Sequence, residues 1–212
     1  MRRLWLGLTF VLACGGTPAS APAERAAASE VAESRGGQEL IGTAALPFAS
    51  DLTWINGEPF ELEDLRGKVV LVRFWTDTCP FCEASAPGLG RLHEQYGDRG
   101  LVVLGIHHPK PRGSKTAVEG IRARAADLGM AFAIASDPGW DTLERWWLDA
   151  GEGRRKATSV SFLIDARGTV RWIHPGPEFH PDGPADHDQC RQDYEDAVAT
   201  IKALLRERAE NS

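Results

Sequence analysis

Residues Lys68 to Cys82 read KVVLVRFWTDTCPFC, a strand, a turn and the start of a helix compressed into fifteen positions. Lys68 to Trp75 is a continuous run rich in β-branched and aromatic residues, the pattern of a strand buried on both faces. Pro80 suits the first turn of a helix, where its missing N–H is no loss. Apolar positions at Leu89 and Leu92 extend the predicted helix to about Tyr96, with a kink at Pro87.

Flanking segments repeat this alternation. Gly100 to Ile106 (GLVVLGI) reads as a second buried strand, Lys115 to Leu128 has helical periodicity, and Ala131 to Ala135 is a short strand before the Asp137-Pro138-Gly139 turn. Asp141 to Leu148 reads as a short helix. Val160 to Asp165 and Thr169 to His174 form two strands around Ala166-Arg167-Gly168, and Tyr194 to Arg208 is a final amphipathic helix. Upstream, Asn56-Gly57 separates Leu52 to Ile55 from Pro59 to Leu62, which predicts a β-hairpin ahead of the core. The sum is an α/β fold, a central mixed sheet with helices on both faces.

The chain has 212 residues and a formal net charge of -6, with both signs interspersed, so no basic patch is available for nucleic acid. It begins MRRLWLGLTFVLAC. Two arginines and an apolar run about half of the ~20 residues needed to span a bilayer predict an export signal over residues 1–13. VLAC resembles a bacterial lipobox, which makes Cys14 the expected site of lipidation. Residues 14–40 are rich in Ala, Pro, Ser, Gly and Glu and read as a flexible tether, leaving 41–212 as the folded domain.

Two cysteines two residues apart admit three chemistries. A structural zinc site needs four ligands, and the remaining cysteines, Cys14 and Cys190, lie far from the pair in sequence, so no metal is expected. A structural staple across so short a loop has little effect on folding. Redox work remains: the first sulfur falls at a helix N-terminus, where free N–H groups stabilise a thiolate, and the second lies one turn in, placed to resolve a mixed disulfide.

LRGKVVLVRFW, the CPFC pair with Pro87 five residues beyond it, and the later SFLIDARGTVRW resemble the TlpA-like thioredoxin-fold family of bacterial extracytoplasmic thiol-disulfide proteins. The resemblance implies a thioredoxin-like fold and exchange of protein disulfides outside the cytoplasm, without a cofactor. Cys79 would attack and Cys82 resolve, within an environment of Arg73, Trp75, Thr76, Pro80, Phe81 and Ser159. Protein thiols and disulfides are the implied partners, with a membrane electron donor or acceptor and a lipid-anchored, periplasmic location. Three positions depart from the pattern. Ser159 occupies the place of the usual cis-proline, and since a non-proline cis bond costs about 3 kcal/mol its peptide is expected to be trans. Ser85 replaces a glutamate three residues after the second cysteine, and Arg73 replaces a buried acid six residues before the first. A guanidinium there would favour the thiolate rather than take its proton.

A peroxiredoxin-like thiol peroxidase is the rival enzyme reading, on the strength of Thr76 three residues before Cys79; Val72, where a proline would be expected, and the position of Cys82 weigh against it. A lipid-tethered binding or metal-delivery module is the non-enzymatic alternative. Elsewhere, His107 and His108 read as a solvated loop, and His174, His180, Asp186, His187 and Cys190 fall in a Pro/Gly-rich surface insertion that matches no metal-binding spacing. Trp140, Trp146 and Trp147 are expected to line the core or a groove.

Overall fold

The computed structural model describes residues 36–151 and 155–211. Its centre is β2 (Val69–Trp75), which pairs in parallel with β3 (Leu101–His107) and antiparallel with β5 (Ser161–Ile164). With β1 (Thr53–Asn56), β4 (Ala133–Ser136) and β6 (Val170–His174) these form one mixed sheet in the order β1-β4-β3-β2-β5-β6. Every residue of β2 is buried, as the unbroken apolar run requires.

Alternation along β2 sorts its side chains between two cores. Val69, Leu71 and Trp75 face one, built with α1 (Pro80–Tyr96), α2 (Val118–Asp127) and α4 (Asp188–Glu210). Val70, Val72 and Phe74 face the other, covered by Phe48, Leu62, Trp146 and Trp147. Trp146 and Trp147 lie on the π-helical turn Glu144–Leu148 that continues the short α3 (Asp141–Leu143). Each fully buried side chain of this size contributes roughly 1.5–3 kcal/mol. α1 buries Cys82, Ala86, Leu89, Leu92 and Tyr96, a helical stripe against the sheet, and runs through Pro87 as one element.

The expected N-terminal hairpin does not form. β1 pairs antiparallel with β4, with Thr53 opposite Ser136 and Trp54 opposite Ala135, and the chain after Gly57 leaves the sheet for a 3-10 turn at Leu62–Leu65. Gly57 does take the left-handed φ of 76° that an Asn-Gly turn needs. The Asn56 side chain, however, reaches to β4, donating to the Phe132 carbonyl at 2.9 Å and accepting from the Ile134 amide. That fastens the strand to β4, while Pro59, lacking an N–H, opens a segment that joins no ladder. α4 begins six residues earlier than its apolar stripe suggests, because the first turns carry polar residues and Tyr194 is the first buried one.

Candidate active site

Cys79 is the N-cap of α1, in extended conformation (φ -95°, ψ 114°), with Pro80 at the first helical position. Since proline has no amide proton, the amides aimed at the Cys79 sulfur are those of Phe81 and Cys82. The Cys79 thiol is lowered to about 5, chiefly by its hydrogen bond with the Cys82 thiol, then by the Ser159 hydroxyl and these two amides; partial burial opposes them. Cys82, only 4% exposed, is pushed the other way by the same contact with Cys79 and by burial. Of two chemically identical thiols, one is therefore ionised at neutral pH and accessible, and the other is protonated and covered. Both are free thiols here.

Ser159 stands beside both sulfurs. Its hydroxyl lies 3.2 Å from the Cys82 sulfur and 3.6 Å from that of Cys79, so one side chain touches both. The peptide before it is trans, as expected; among the described residues the cis bonds precede Pro111 and Pro177. Beneath the pair lies Arg73, completely buried on the α1 face of β2. It donates to the Ser159 carbonyl (3.2 Å), the Ser161 hydroxyl (3.2 Å) and the Pro177 carbonyl (2.8 Å), and stands 5.7 Å from the Phe179 ring centroid. Burial pulls its pKa down while Cys82, Cys79 and Glu178 hold it up. Its positive charge in turn opposes the upward shift of Cys82.

Around this pair, Ser85 on α1 donates to the Phe81 carbonyl (2.8 Å) and accepts from the Phe179 amide (3.2 Å), a structural use of a position expected to lack a proton acceptor. Phe81 is 45% exposed beside the accessible sulfur. Thr76 is buried and its hydroxyl is engaged with the Asp77 carboxylate at 3.2 Å. Trp75 packs edge-on against His107, ring centroids 5.1 Å apart.

His107 and His108 are not in a solvated loop. Both are fully buried: His107 is the last residue of β3, paired with Trp75 and Ser136, and His108 donates its amide to the Trp75 carbonyl. The strand runs one residue beyond its last aliphatic side chain, and Trp75 and Trp140 cover the imidazoles edge-on. Burial lowers the pKa of His107 against the contact its Nε2 makes with Asp77 at 3.2 Å; burial raises Asp77, but His107, a backbone amide and the Thr76 hydroxyl together bring it below its ordinary value. Burial drives His108 down to about 3, with Lys110, His107 and Arg73 adding to the effect.

Trp146 and Trp147 are core residues and Trp140 is half-buried against theirs, donating to the Pro109 carbonyl at 2.9 Å. His174 pairs with Asp193 at 3.0 Å. The insertion of residues 175–187 gathers His180, His187 and Cys190 around Glu178, a carboxylate that residue spacing did not single out. Asp186 is outside that group. Cys14 lies outside the described residues, and no helix among the described residues is long and apolar enough to cross a membrane.

Residues 41–173 match the AhpC/TSA family. The chain belongs to that family. Its relatives place it in the TlpA/ResA-like branch: it is 30% identical over 136 residues to the thiol-disulfide oxidoreductase ResA of Geobacillus kaustophilus, covering 64% of this chain and 70% of that one. It is 35% identical over 159 residues to protein DipZ of Mycobacterium bovis, which covers 73% of this chain but 21% of DipZ. The chain thus spans about a fifth of the DipZ relatives' length. Among solved structures, a thiol:disulfide interchange protein of the thioredoxin family from Chlorobium tepidum shares the fold, with a TM-score of 0.55, 22% identity, and coverage of 77% of this chain and 97% of that one. The thioredoxin-like architecture anticipated from KVVLVRFWTDTCPFC and SFLIDARGTVRW is therefore present.

Proposed function

We propose that the chain is a thiol-disulfide oxidoreductase acting on protein disulfides outside the cytoplasm, with Cys79 attacking and Cys82 resolving. The observation that carries this reading is the placement of two free thiols at the N-terminus of α1, Cys79 half-buried at the N-cap and Cys82 buried in the first turn. The Cys79 thiolate attacks one sulfur of a substrate disulfide, forms a mixed disulfide and releases the first substrate thiolate. Cys82 then attacks the Cys79 sulfur; the S–S bond to the substrate breaks, the second substrate thiolate leaves, and a Cys79–Cys82 disulfide remains. Two electrons have passed to the substrate, and an external dithiol or membrane donor must return two to the pair. The reverse sequence oxidises a substrate dithiol.

Deprotonation of Cys82 must precede the second step. The largest influence holding the Cys82 proton is its hydrogen bond to the Cys79 thiolate. Once Cys79 is in a mixed disulfide, that anion is gone, while Arg73 and the Ser159 hydroxyl stay beside the Cys82 sulfur. The largest cause raising Cys82 is then lifted, leaving burial opposed by Arg73 and Ser159, and its proton can leave to water or to the departing substrate thiolate. The exposed Phe81 offers an apolar contact to a polypeptide partner.

Relatives named as thiol-disulfide oxidoreductases support the reaction class and an extracytoplasmic setting. The apolar leader and VLAC support export and acylation at Cys14. A peroxidase is supported less, because the Thr76 hydroxyl is turned to Asp77. The test is turnover by the reduced full chain of insulin disulfide and, separately, of hydrogen peroxide, with dithiothreitol as donor. Catalysed insulin reduction with negligible peroxide consumption is expected. Peroxide consumption without insulin reduction would establish the peroxidase reading, and turnover of neither would leave a binding module.

A further inference from the structure

Beyond the redox pair, the segment between β6 and α4 folds back so that four potential ligands meet. The donor atoms of Glu178, His180, His187 and Cys190 all lie within 4.8 Å of one another. His187 Nδ1 is 3.2 Å from His180 Nε2 and 3.7 Å from Glu178 Oε1, which is 3.8 Å from the Cys190 sulfur. Four ligands around a tetrahedral ion, with bonds of about 2.0–2.1 Å to nitrogen or oxygen and about 2.3 Å to sulfur, stand roughly 3.3–3.6 Å apart. The three contacts bracket that spacing.

The surroundings are built to hold this arrangement. His180 is buried and its Nδ1 donates to the Asp182 carbonyl, which turns Nε2 toward His187 Nδ1 at 3.2 Å. That is the carbonyl-oriented imidazole typical of metal-bound histidine. The His180 amide donates to the Cys190 carbonyl at 3.2 Å, and Arg191 donates to the Pro184 and Ala185 carbonyls at 2.8 Å each, closing the loop onto the first turn of α4.

The geometry points to a structural zinc-class site formed by Glu178, His180, His187 and Cys190. One thiolate, two imidazoles and one carboxylate suit a borderline ion such as zinc and not the all-oxygen preference of calcium or magnesium, and four protein ligands close the coordination sphere. The ion clamps the insertion to α4. It also steadies the floor of the redox site, since Pro177 and Phe179 flank Glu178 and contact Arg73 and Ser85.

The test uses the full chain with Cys79→Ser and Cys82→Ser, which removes the other thiol pair and makes the result independent of redox activity. Cobalt(II) is the probe. One equivalent is expected to bind, giving the intense visible bands of a tetrahedral site and a sulfur-to-cobalt charge-transfer band. Adding Cys190→Ser should abolish the charge-transfer band, and adding His187→Gln, at a partly exposed side chain, should weaken binding at least about tenfold. Far-ultraviolet circular dichroism unchanged from the parent confirms that each variant is folded. Cys14 is present throughout and cannot account for a difference. Absence of stoichiometric binding by the folded parent, or a spectrum and affinity indifferent to both substitutions, would overturn the site.

Discussion

Ser159 makes contacts at the cysteine pair that a proline in its place could not. A proline there could offer neither sulfur a hydrogen bond, whereas the Ser159 hydroxyl meets both. On the Cys79 side its O–H can donate to a thiolate, and hydrogen bonds to charged groups are the stronger kind. Ser159→Ala should therefore raise the Cys79 pKa from about 5 by roughly one unit, which is the order of one weak charge-assisted bond. Thiolate absorbance followed against pH checks this. In the wild type, nucleophilic rate should rise as pH climbs through about 5 and then level off, because only the deprotonated form attacks; in the variant the whole curve should move to higher pH. Spacing in the sequence puts the Arg73 charge near the pair, and alternation along β2 gives its direction: Val69, Leu71 and Trp75 all face α1, and residue 73 shares their parity.

The elements around the pair are held together at points where side chains would not fit. Gly176, just after β6, has φ of 86°, and a Cβ there would stand 2.5 Å from the Ser159 carbonyl oxygen, itself an acceptor for Arg73. Gly176→Ala combines a left-handed backbone with a backbone clash, so it should destabilise the fold by about 1–3 kcal/mol and disturb the Cys79 titration as well. Denaturant midpoints and the thiolate titration measure the two effects; an unchanged midpoint would show that the β5 and β6 ends are not so tightly apposed. At this level the sequence is legible where one pattern dominates. The β2 run, α1 from Pro80 to Tyr96 and the β5–β6 pair follow directly from apolar periodicity. Asn56-Gly57 misled because a local turn signal does not say which strand will be the partner, and the Asn56 side chain chooses β4. His107 and His108 misled because polar residues at a strand end look solvated until packing by tryptophans is known. The cluster of Glu178, His180, His187 and Cys190 has irregular spacing in sequence, and only the fold of the insertion brings its members together.

Across the molecule, the fold serves as a scaffold for one electrostatic contrast. A sheet packed on both faces fixes the C-terminal end of β2, α1 supplies amides at the first sulfur, and the β5 and β6 ends bring Ser159 and the Pro177 carbonyl against Arg73. The amides at the helix N-terminus lower Cys79, while the buried cation interacts with both sulfurs and works against the burial that raises Cys82. The measurement that probes this is covalent trapping by the two single-cysteine variants of the full chain, reduced, mixed with disulfide-bonded protein and run on non-reducing gels. Cys82→Ser leaves the acidic, accessible thiol without its resolving partner and is expected to accumulate mixed disulfides. Cys79→Ser leaves a covered, protonated thiol and is expected to trap few or none. Trapping by Cys79→Ser alone, with none by Cys82→Ser, would contradict the assignment.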